Sequence, residues 1–144
     1  MDLEGAHIIA ATCNDPRFPA TNVLKGDNSK FWATTGLFPQ EFVVALDTPS
    51  EITRLKTYTT NVRHLVVERC EGSNPISWEK MFELEVADTD GRLQVESTQT
   101  PRCGSGWCAA GSRFFWYSKL SWHRALYLST LDGRMRCTHL RYCI

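Results

Sequence analysis

The motifs that usually identify an enzyme are missing from this chain of 144 residues. It contains no Gly-x-Ser-x-Gly, His-Glu-x-x-His or phosphate-loop sequence. The four histidines, at positions 7, 64, 123 and 139, have no neighbouring nucleophile or acid motif. Glu83 and Glu85 alternate along one predicted strand, which places both on a solvated face rather than in an acid–base pair. The sequence therefore predicts a protein that is not an enzyme.

Signals of export and of membrane insertion are missing as well. No basic segment precedes an apolar one at the N-terminus, and the longest apolar runs are only a few residues. None of the five asparagines lies in an N-glycosylation sequon. We therefore expect a chain without a membrane span, in an intracellular compartment where its thiols stay reduced.

The six cysteines do not form a metal-binding pattern, because no Cys-x-x-Cys pair is present. Cys103, Cys108, Cys137, His139 and Cys143 could be combined into a zinc site only on paper. We interpret them as scattered thiols in an atypical segment. Cys13 and Cys70 are expected to be buried thiols rather than nucleophiles.

The net charge is zero, but the charge is unevenly distributed. Residues 1–100 carry nine lysines and arginines against fifteen acidic residues, whereas residues 101–144 carry seven basic residues against one acid. Most of the cysteines and tryptophans also follow residue 100. We therefore divide the chain into a core, residues 1–100, and an atypical basic, Cys- and Trp-rich tail, residues 101–144.

The tail interleaves its basic residues with aromatic side chains such as Phe114, Trp116 and Trp122. Such a pattern can stack bases and contact phosphates in single-stranded nucleic acid. Because the first hundred residues are acidic, we interpret the tail as an unusual extension and expect no nucleic-acid partner.

Short strands separated by turn signals fill the core. Apolar and β-branched runs predict strands at residues 7–13, 41–46, 51–60, 63–70 and 78–87. No stretch has a convincing helical stripe. The spacing of about ten residues between strands is typical of antiparallel sandwiches. We predict an all-β fold, an antiparallel jelly-roll β-sandwich.

The clearest alternation is in residues 78–87. Phe82, Leu84 and Val86 alternate with acidic residues, so one face of this strand is expected to point to the core. Residues 89–91, which include an Asp-Gly pair, predict a hairpin turn. Leu93 and Val95 then continue the same alternation in the returning strand.

Residues 22–42 form the segment around which we expect the sandwich to close. Asn22, Asp27 and Asn28 can bond their own backbone, and Gly26 allows a positive φ, so a tight turn is predicted. Trp32 can bury on the order of 200 Å² and needs one acceptor for its indole N–H.

This segment carries the pattern Asn-x-x-x-Gly-Asp-x-x-x-Phe-Trp-x-Thr-Thr-Gly. The pattern resembles the metal-loop signature of galactose-binding-like, discoidin-type (F5/8 type C) β-sandwich domains. Its continuation at residues 34–42, Thr-Thr-Gly-Leu-Phe-Pro-Gln-Glu-Phe, resembles a narrower family, the small β-sandwich subunits of intraflagellar transport complex B. The resemblance covers roughly residues 7–99 and implies a galactose-binding-domain-like fold.

The resemblance also implies a Ca²⁺ ion held mostly by carbonyl oxygens. On this sequence the ligands would be a carbonyl of Asn22, a carbonyl or the side chain of Asp27, a carbonyl of Lys30 and an oxygen of Thr35. Lys25 departs from the family pattern, which usually has Asp there, and Lys30 stands where Thr is common. An ammonium in contact with a cation opposes it by about 1 kcal/mol per pair of unit charges in water, and by more when partly buried. No final ligand from the last strand can be identified.

The function implied by the resemblance is that of a non-enzymatic structural or adaptor subunit. Such a subunit would form a heterodimer with a Rab-like small GTPase subunit of complex B and contact other subunits of that complex. It would act in ciliary cargo transport, in the cilium or flagellum and in the cytoplasm near the basal body. The glutamate-rich face of residues 78–87 and the strand at residues 52–58 are our hypotheses for the partner surface.

The alternative function is that of a Ca²⁺-dependent carbohydrate-binding discoidin-type module. Modules of that kind bind sugars at their loop end with exposed aromatic side chains, and Phe18, Leu37 and Phe38 could form such a tip here. An intracellular chain without sequons favours the adaptor interpretation.

The tail allows more than one interpretation. Residues 138–144 resemble the Thr-x-Leu-Arg-Phe-x-Ile strand that follows the hairpin in this family, and residues 101–136 would then be an insertion. Otherwise the whole tail comes from an altered reading frame or transcript. Strands at residues 113–117 and 126–128, or a helix over residues 117–131, fit its composition. A sandwich without its closing strands would expose an edge.

Overall fold

The computed structural model describes residues 5–25, 27, 29–35, 39–47, 54–70 and 76–99, together with the backbone of residues 116–117, 127–128 and 139–143. Within this part the chain forms nine strands and a short 3₁₀ helix, Ala20–Leu24. The strands are β1 (Ala6–Ala11), β2 (Glu41–Leu46), β3 (Arg54–Thr59), β4 (His64–Cys70), β5 (Glu79–Glu85), β6 (Gln94–Gln99), β7 (Trp116–Tyr117), β8 (Tyr127–Leu128) and β9 (His139–Cys143).

The strands form two antiparallel sheets. The larger sheet has the order β1-β2-β9-β4-β5, with β7 also paired to β4, and the smaller sheet has the order β6-β3-β8. Buried side chains from both sheets belong to one hydrophobic cluster, so the sheets are the two layers of a β-sandwich. The predicted all-β, antiparallel sandwich is confirmed.

The core lies between the two sheets, and side chains of the 3₁₀ helix and Trp32 pack into it. Side chains of alternating residues reach it because successive residues of a strand point to opposite faces. Its most deeply buried large side chains are Trp32, Phe42, Leu65, Val23, Val44 and Val67.

The predicted strands of the core agree with the structure apart from small shifts at their ends. β2 has the predicted bounds, while β1 ends at Ala11 instead of residue 13. In β5 the predicted alternation is confirmed: Phe82 and Leu84 are half-buried, while Glu83 and Glu85 are exposed. Residues 51–53, at the start of the predicted third strand, lie outside the described residues.

The predicted hairpin at residues 89–91 is wrong, although its turn is real. Asp90 and Gly91 both have positive φ, 52° and 76°, and the N–H of Arg92 donates to the carbonyl of Thr89 at 3.1 Å. However, β5 pairs with β4 in the larger sheet, and β6 pairs with β3 in the smaller one. The turn therefore carries the chain from one layer of the sandwich to the other.

The alternation expected in β6 is inverted. Gln94 is only 3% exposed, whereas Leu93 is 53% and Val95 48% exposed. The Gln94 side chain accepts from the Val62 N–H at 3.0 Å and donates to the carbonyls of Val62, at 2.8 Å, and Ala87, at 2.7 Å. These bonds hold the loops before β4 and after β5 against β6. Because side chains along a strand point alternately to the two sides of the sheet, burying Gln94 also determines the side on which every other side chain of β6 lies.

The described parts of the tail are strands within both sheets. β7 and β8 lie inside the two predicted stretches, so a continuous helix over residues 117–131 is wrong. β9 lies inside the predicted strand at residues 138–144 and pairs with both β2 and β4. The division into a core and a tail remains a prediction. Across the described residues, no helix has the length and apolar character that a membrane crossing requires.

Candidate metal loop and interaction surface

Trp32 anchors the loop that the sequence singled out. Its side chain is 1% exposed, its indole N–H donates to the carbonyl of Cys13 at 2.8 Å, and its ring meets Phe42 edge-on with centroids 5.2 Å apart. An aromatic ring that is both buried and hydrogen-bonded holds the neighbouring backbone in place. The expected burial of Trp32 and the expected acceptor for its indole N–H are therefore confirmed.

Asn22 and Asp27 hold the first half of the loop. The carbonyl of Asn22 accepts from the N–H of Lys25 at 3.0 Å, and its side-chain amide donates to the carbonyl of Phe31 at 3.0 Å. Asp27 accepts from the N–H and the hydroxyl of Ser29, both at 2.8 Å. The Ser29 backbone N–H first, and then its hydroxyl, lower the pKa of Asp27, so this carboxylate is ionised at neutral pH.

Lys30 and Thr35 are held by different partners. The N–H of Lys30 donates to the carbonyl of Asp27 at 3.0 Å. The hydroxyl of Thr35 lies 3.2 Å from the thiol of Cys13, and the Thr35 N–H donates to the same sulfur at 3.3 Å. Cys13 thus contacts the loop at both Trp32 and Thr35, a role that its sequence context did not indicate.

The donor types of this loop fit a hard cation, since carbonyl oxygens and one carboxylate are the ligands that Ca²⁺ accepts. Among the described residues, no group of three or more His, Cys, Asp or Glu side chains gathers around one point. A cation here would therefore depend on carbonyl oxygens together with Asp27. Gly26 and Asn28, which the predicted turn includes, lie outside the described residues.

The predicted aromatic tip for sugar binding is represented in the described part by Phe18 alone. Its ring stacks on Phe31 with centroids 4.6 Å apart and an interplanar angle of 13°. Phe18 is half-buried in this pair, so its ring is partly occupied by a neighbour within the chain. Leu37 and Phe38 lie outside the described residues.

The glutamate-rich face of β5 carries two ion pairs and a contact from a histidine to one of the same glutamates. His64 Nε2 lies 2.8 Å from Glu83, Lys80 lies 2.6 Å from the same carboxylate, and Arg69 lies 2.6 Å from Glu79. The bond from Lys80 lowers the pKa of Glu83, so Glu83 stays charged at neutral pH. A face whose charges are already paired, and which is partly solvated, is typical of protein surface rather than of an interface centre.

The outer side of the smaller sheet is different, because apolar side chains are exposed there. Cross-strand partners on this side are Tyr58 with Val95, Lys56 with Ser97 and Arg54 with Gln99. Lys56 Nζ lies 4.9 Å from the centre of the Tyr58 ring. We call this surface the small-sheet face; it consists of Arg54, Lys56, Tyr58, Leu93, Val95, Ser97 and Gln99.

The small-sheet face also differs in charge from the rest of the core. It includes two cations, Arg54 and Lys56, and none of the residues that define it is acidic, although residues 1–100 carry an excess of acids. Exposed apolar side chains beside cations are more typical of a protein-binding surface than of a sheet face that contacts only water. Residues 52 and 53 of the strand that the sequence suggested lie outside the described residues, and this face includes Arg54, Lys56 and Tyr58 of that strand. It adds Leu93 and Val95, which alternation assigned to the core.

Curated proteins resemble this chain over about two thirds of its length. The chain is 44% identical over 95 residues to intraflagellar transport protein 25 of Chlamydomonas reinhardtii, covering 66% of this chain and 50% of that protein. It is 36% identical over 96 residues to the human intraflagellar transport protein 25 homolog, covering 67% of each chain. The chain thus spans half the length of the algal relative. No family model matches it.

Solved structures resemble the fold at low sequence identity. A CBM32 module from Clostridium perfringens, solved with GalNAc-β-1,3-galactose, has a TM-score of 0.60 at 16% identity and covers 96% of this chain and 83% of its own. The C-terminal domain of a Bacteroides fragilis chitobiase has a TM-score of 0.61 at 10% identity, covering 100% and 83%. At such identities the likeness concerns the fold alone, and it confirms the expected galactose-binding-like sandwich.

Proposed function

Because this chain belongs to the intraflagellar transport protein 25 family, we propose that it is a non-enzymatic subunit of the intraflagellar transport machinery that works by binding other proteins. It is a subunit of complex B and forms a heterodimer with that complex's Rab-like small GTPase subunit. It acts in cargo transport in the cilium or flagellum, with a pool in the cytoplasm near the basal body.

One observation carries the binding role: the small-sheet face exposes Leu93 and Val95, and Val95 lies directly opposite Tyr58. Burying apolar side chains against a partner stabilises a complex by about 25 cal/mol per Å² removed from water. Exposing the same side chains to water does not stabilise the isolated chain. The strand direction fixed by Gln94 thus produces a surface suited to a protein partner.

The test is co-expression of the full chain with a Rab-like ciliary GTPase, followed by size-exclusion chromatography. We expect the two proteins to elute together. A double variant, Leu93→Ser with Val95→Thr, is expected to weaken the complex by about 1.5–3 kcal/mol, because each of the two half-exposed side chains loses roughly half of a full burial term of about 1.5–3 kcal/mol.

Ile9→Thr is the matched control, since Ile9 is 44% exposed but lies on β1 of the other sheet. It should leave co-elution unchanged. Separate elution of the unmodified proteins would contradict the proposed heterodimer. Equal loss from the control and the double variant would contradict the assignment of the surface.

A calcium ion bound by the loop is part of the same proposal. Asn22, Asp27, Lys30 and Thr35 would hold it, and the ion would supply rigidity at the loop end of the sandwich. The ionised Asp27 carboxylate supports this assignment, while the ammonium groups of Lys25 and Lys30 reduce the expected affinity.

Sugar binding is the second candidate, and the CBM32 module solved with GalNAc-β-1,3-galactose is the observation that favours it. The half-buried Phe18 ring, stacked on Phe31, makes it the weaker one. Titration of the chain with this disaccharide, with and without Ca²⁺, separates the two. Saturable Ca²⁺-dependent binding, together with no GTPase complex, would replace the adaptor function by a carbohydrate-binding one.

A further inference from the structure

Among the described strands, β1, β5 and β6 lie at ends of the two sheets and have at least six described residues each, but they are not equally protected against pairing with another chain. β1 has a bulge between Ile8 and Ala10, which twists an edge and interrupts its hydrogen bonding. β5 has a register shift against β4 and a row of charged side chains in ion pairs. Bulges and charges are the usual means by which proteins block edge-to-edge pairing.

Along its described length β6 has no bulge and no row of ion-paired charges, so its one feature of this kind is a single inward-pointing acid. Its pairing with β3 is continuous from Thr59 with Gln94 to Arg54 with Gln99, with no register shift. Its sequence, Gln-Val-Glu-Ser-Thr-Gln, contains no proline or lysine. Its single charge, Glu96, is half-buried and lies opposite Thr57 on the inner side of the sheet. Among the described strands, β3 is the one neighbour of β6.

The size of the small-sheet face argues for the same edge. A strand of six residues is about 20 Å long, and two neighbouring strands are about 10 Å wide, so the described face offers roughly 200 Å². Stable complexes bury about 800 Å² on each partner. The described part of the face is smaller than such an interface, and a strand added at the edge would enlarge the contact by backbone hydrogen bonds and by continuing the face sideways.

We propose that the β6 edge is a docking site for one extended strand of the protein partner. This inference rests on the proposed function and names the chemistry of the partner segment. The strand is apolar at the end that meets Leu93 and Val95. It is acidic at the end that lies beside Ser97 and Gln99, the cross-strand partners of the cations Lys56 and Arg54.

Hydrogen exchange of the β6 amides tests this inference without any substitution. In an edge strand every second N–H points away from the sheet and exchanges with water. NMR spectra of the unmodified chain, alone and in complex with the Rab-like GTPase, report the amides of residues 94–99 one by one. We expect the fast-exchanging, alternate amides to become protected in the complex, while the others change little.

A charge variant tests the acidic end of the partner strand. Lys56→Gln should weaken the complex by about two- to fivefold at low salt, and the difference should shrink as salt is raised. Lys80→Gln is the matched control, because it changes the net charge equally but lies on β5, in the other sheet. Equal effects of the two variants would overturn the acidic assignment.

The remaining outcomes separate this inference from the function on which it rests. A stable complex in which the alternate amides of β6 stay unprotected overturns edge docking and leaves the heterodimer intact. The absence of any complex overturns the proposed function and this inference together. If, without the GTPase, the β6 amides become more protected from exchange as the concentration of the chain is raised, the edge pairs with a second copy of the chain. This result would overturn the assignment to the GTPase.

Discussion

Replacing Gln94 by leucine should destabilise the protein even though it makes a buried residue more apolar. In the native chain the amide oxygen accepts from the Val62 N–H and the Thr59 hydroxyl, both at 3.0 Å. The amide nitrogen donates to the carbonyls of Val62 and Ala87. Leucine has a similar volume but replaces none of these bonds.

The magnitude follows from the groups that are left behind. A buried donor or acceptor without a partner costs about 1–3 kcal/mol, and the Val62 N–H and the two carbonyls lose theirs together. The Thr59 hydroxyl can rotate to a new acceptor, and the leucine side chain regains about 1–2 kcal/mol by its own burial. We expect a net loss of about 3 kcal/mol, which lowers the melting temperature by roughly 6–12 °C in a chain of this length.

Urea denaturation followed by circular dichroism measures this loss. Gln99→Leu is the matched control, since Gln99 is an exposed glutamine of the same strand and should change the free energy of unfolding by less than about 0.5 kcal/mol. If Gln94→Leu is as stable as Gln99→Leu, the buried amide does not hold β6 in place. The explanation given for the exposure of Leu93 and Val95 would then be wrong.

Three further predictions concern the sheet, the acid stability and the loop. A chain ending at residue 138 lacks β9, which joins β2 to β4, and should lose its cooperative thermal transition; a transition near the normal temperature would contradict this. The backbone N–H of Asp90 and then Arg63 lower the pKa of Asp88, so its contribution to stability is present above its unfolded pKa and is lost as pH falls through the lower folded pKa. Asp88→Asn should therefore flatten the fall of the urea midpoint below about pH 4, and an unchanged slope would refute it. Asp27→Asn should abolish terbium luminescence sensitised by the protein, whereas Asp47→Asn should preserve it; equal signals would remove Asp27 from the ligand set.

The layered fold was predictable because strand signals are local. β2 is a run of buried apolar residues, and β5 alternates with a period of two, so both could be recognised without knowing their neighbours. Trp32 could be identified as an anchor because a tryptophan next to a turn has few other ways to bury its surface. These features depend on residues that are close in the sequence.

The pairing of strands was not predictable, because it depends on contacts between distant residues. An Asp-Gly pair predicts a tight turn, but whether that turn joins two strands of one sheet depends on where the chain is held on either side. Here the side chain of Gln94 is bonded to Val62, which lies far away in the sequence. The alternation of apolar and polar positions assigns apolar residues to the core, so it cannot reveal a strand in which a glutamine is buried and its apolar neighbours are exposed.

The residues of the two candidate sites were also predictable from the sequence to different degrees. The loop residues Asn22, Asp27, Lys30 and Thr35 were identified from a motif resemblance, and their metal binding remains a prediction. The small-sheet face was only half identified. Its β3 residues were among the hypotheses, while Leu93 and Val95 were missed because an apolar residue in a strand is usually buried.

The central claim is that the small-sheet face contacts the Rab-like GTPase, and photo-crosslinking from position 95 tests it most directly. A photoreactive phenylalanine analogue would replace Val95 in one form of the full chain and Ile9 in another, since both residues are about half exposed and lie on different sheets. After irradiation of each form with the GTPase, we predict one adduct with the mass of both proteins from position 95 and none from position 9. An adduct from position 9 alone, or from neither position in a complex that still co-elutes, would contradict the assignment of this face.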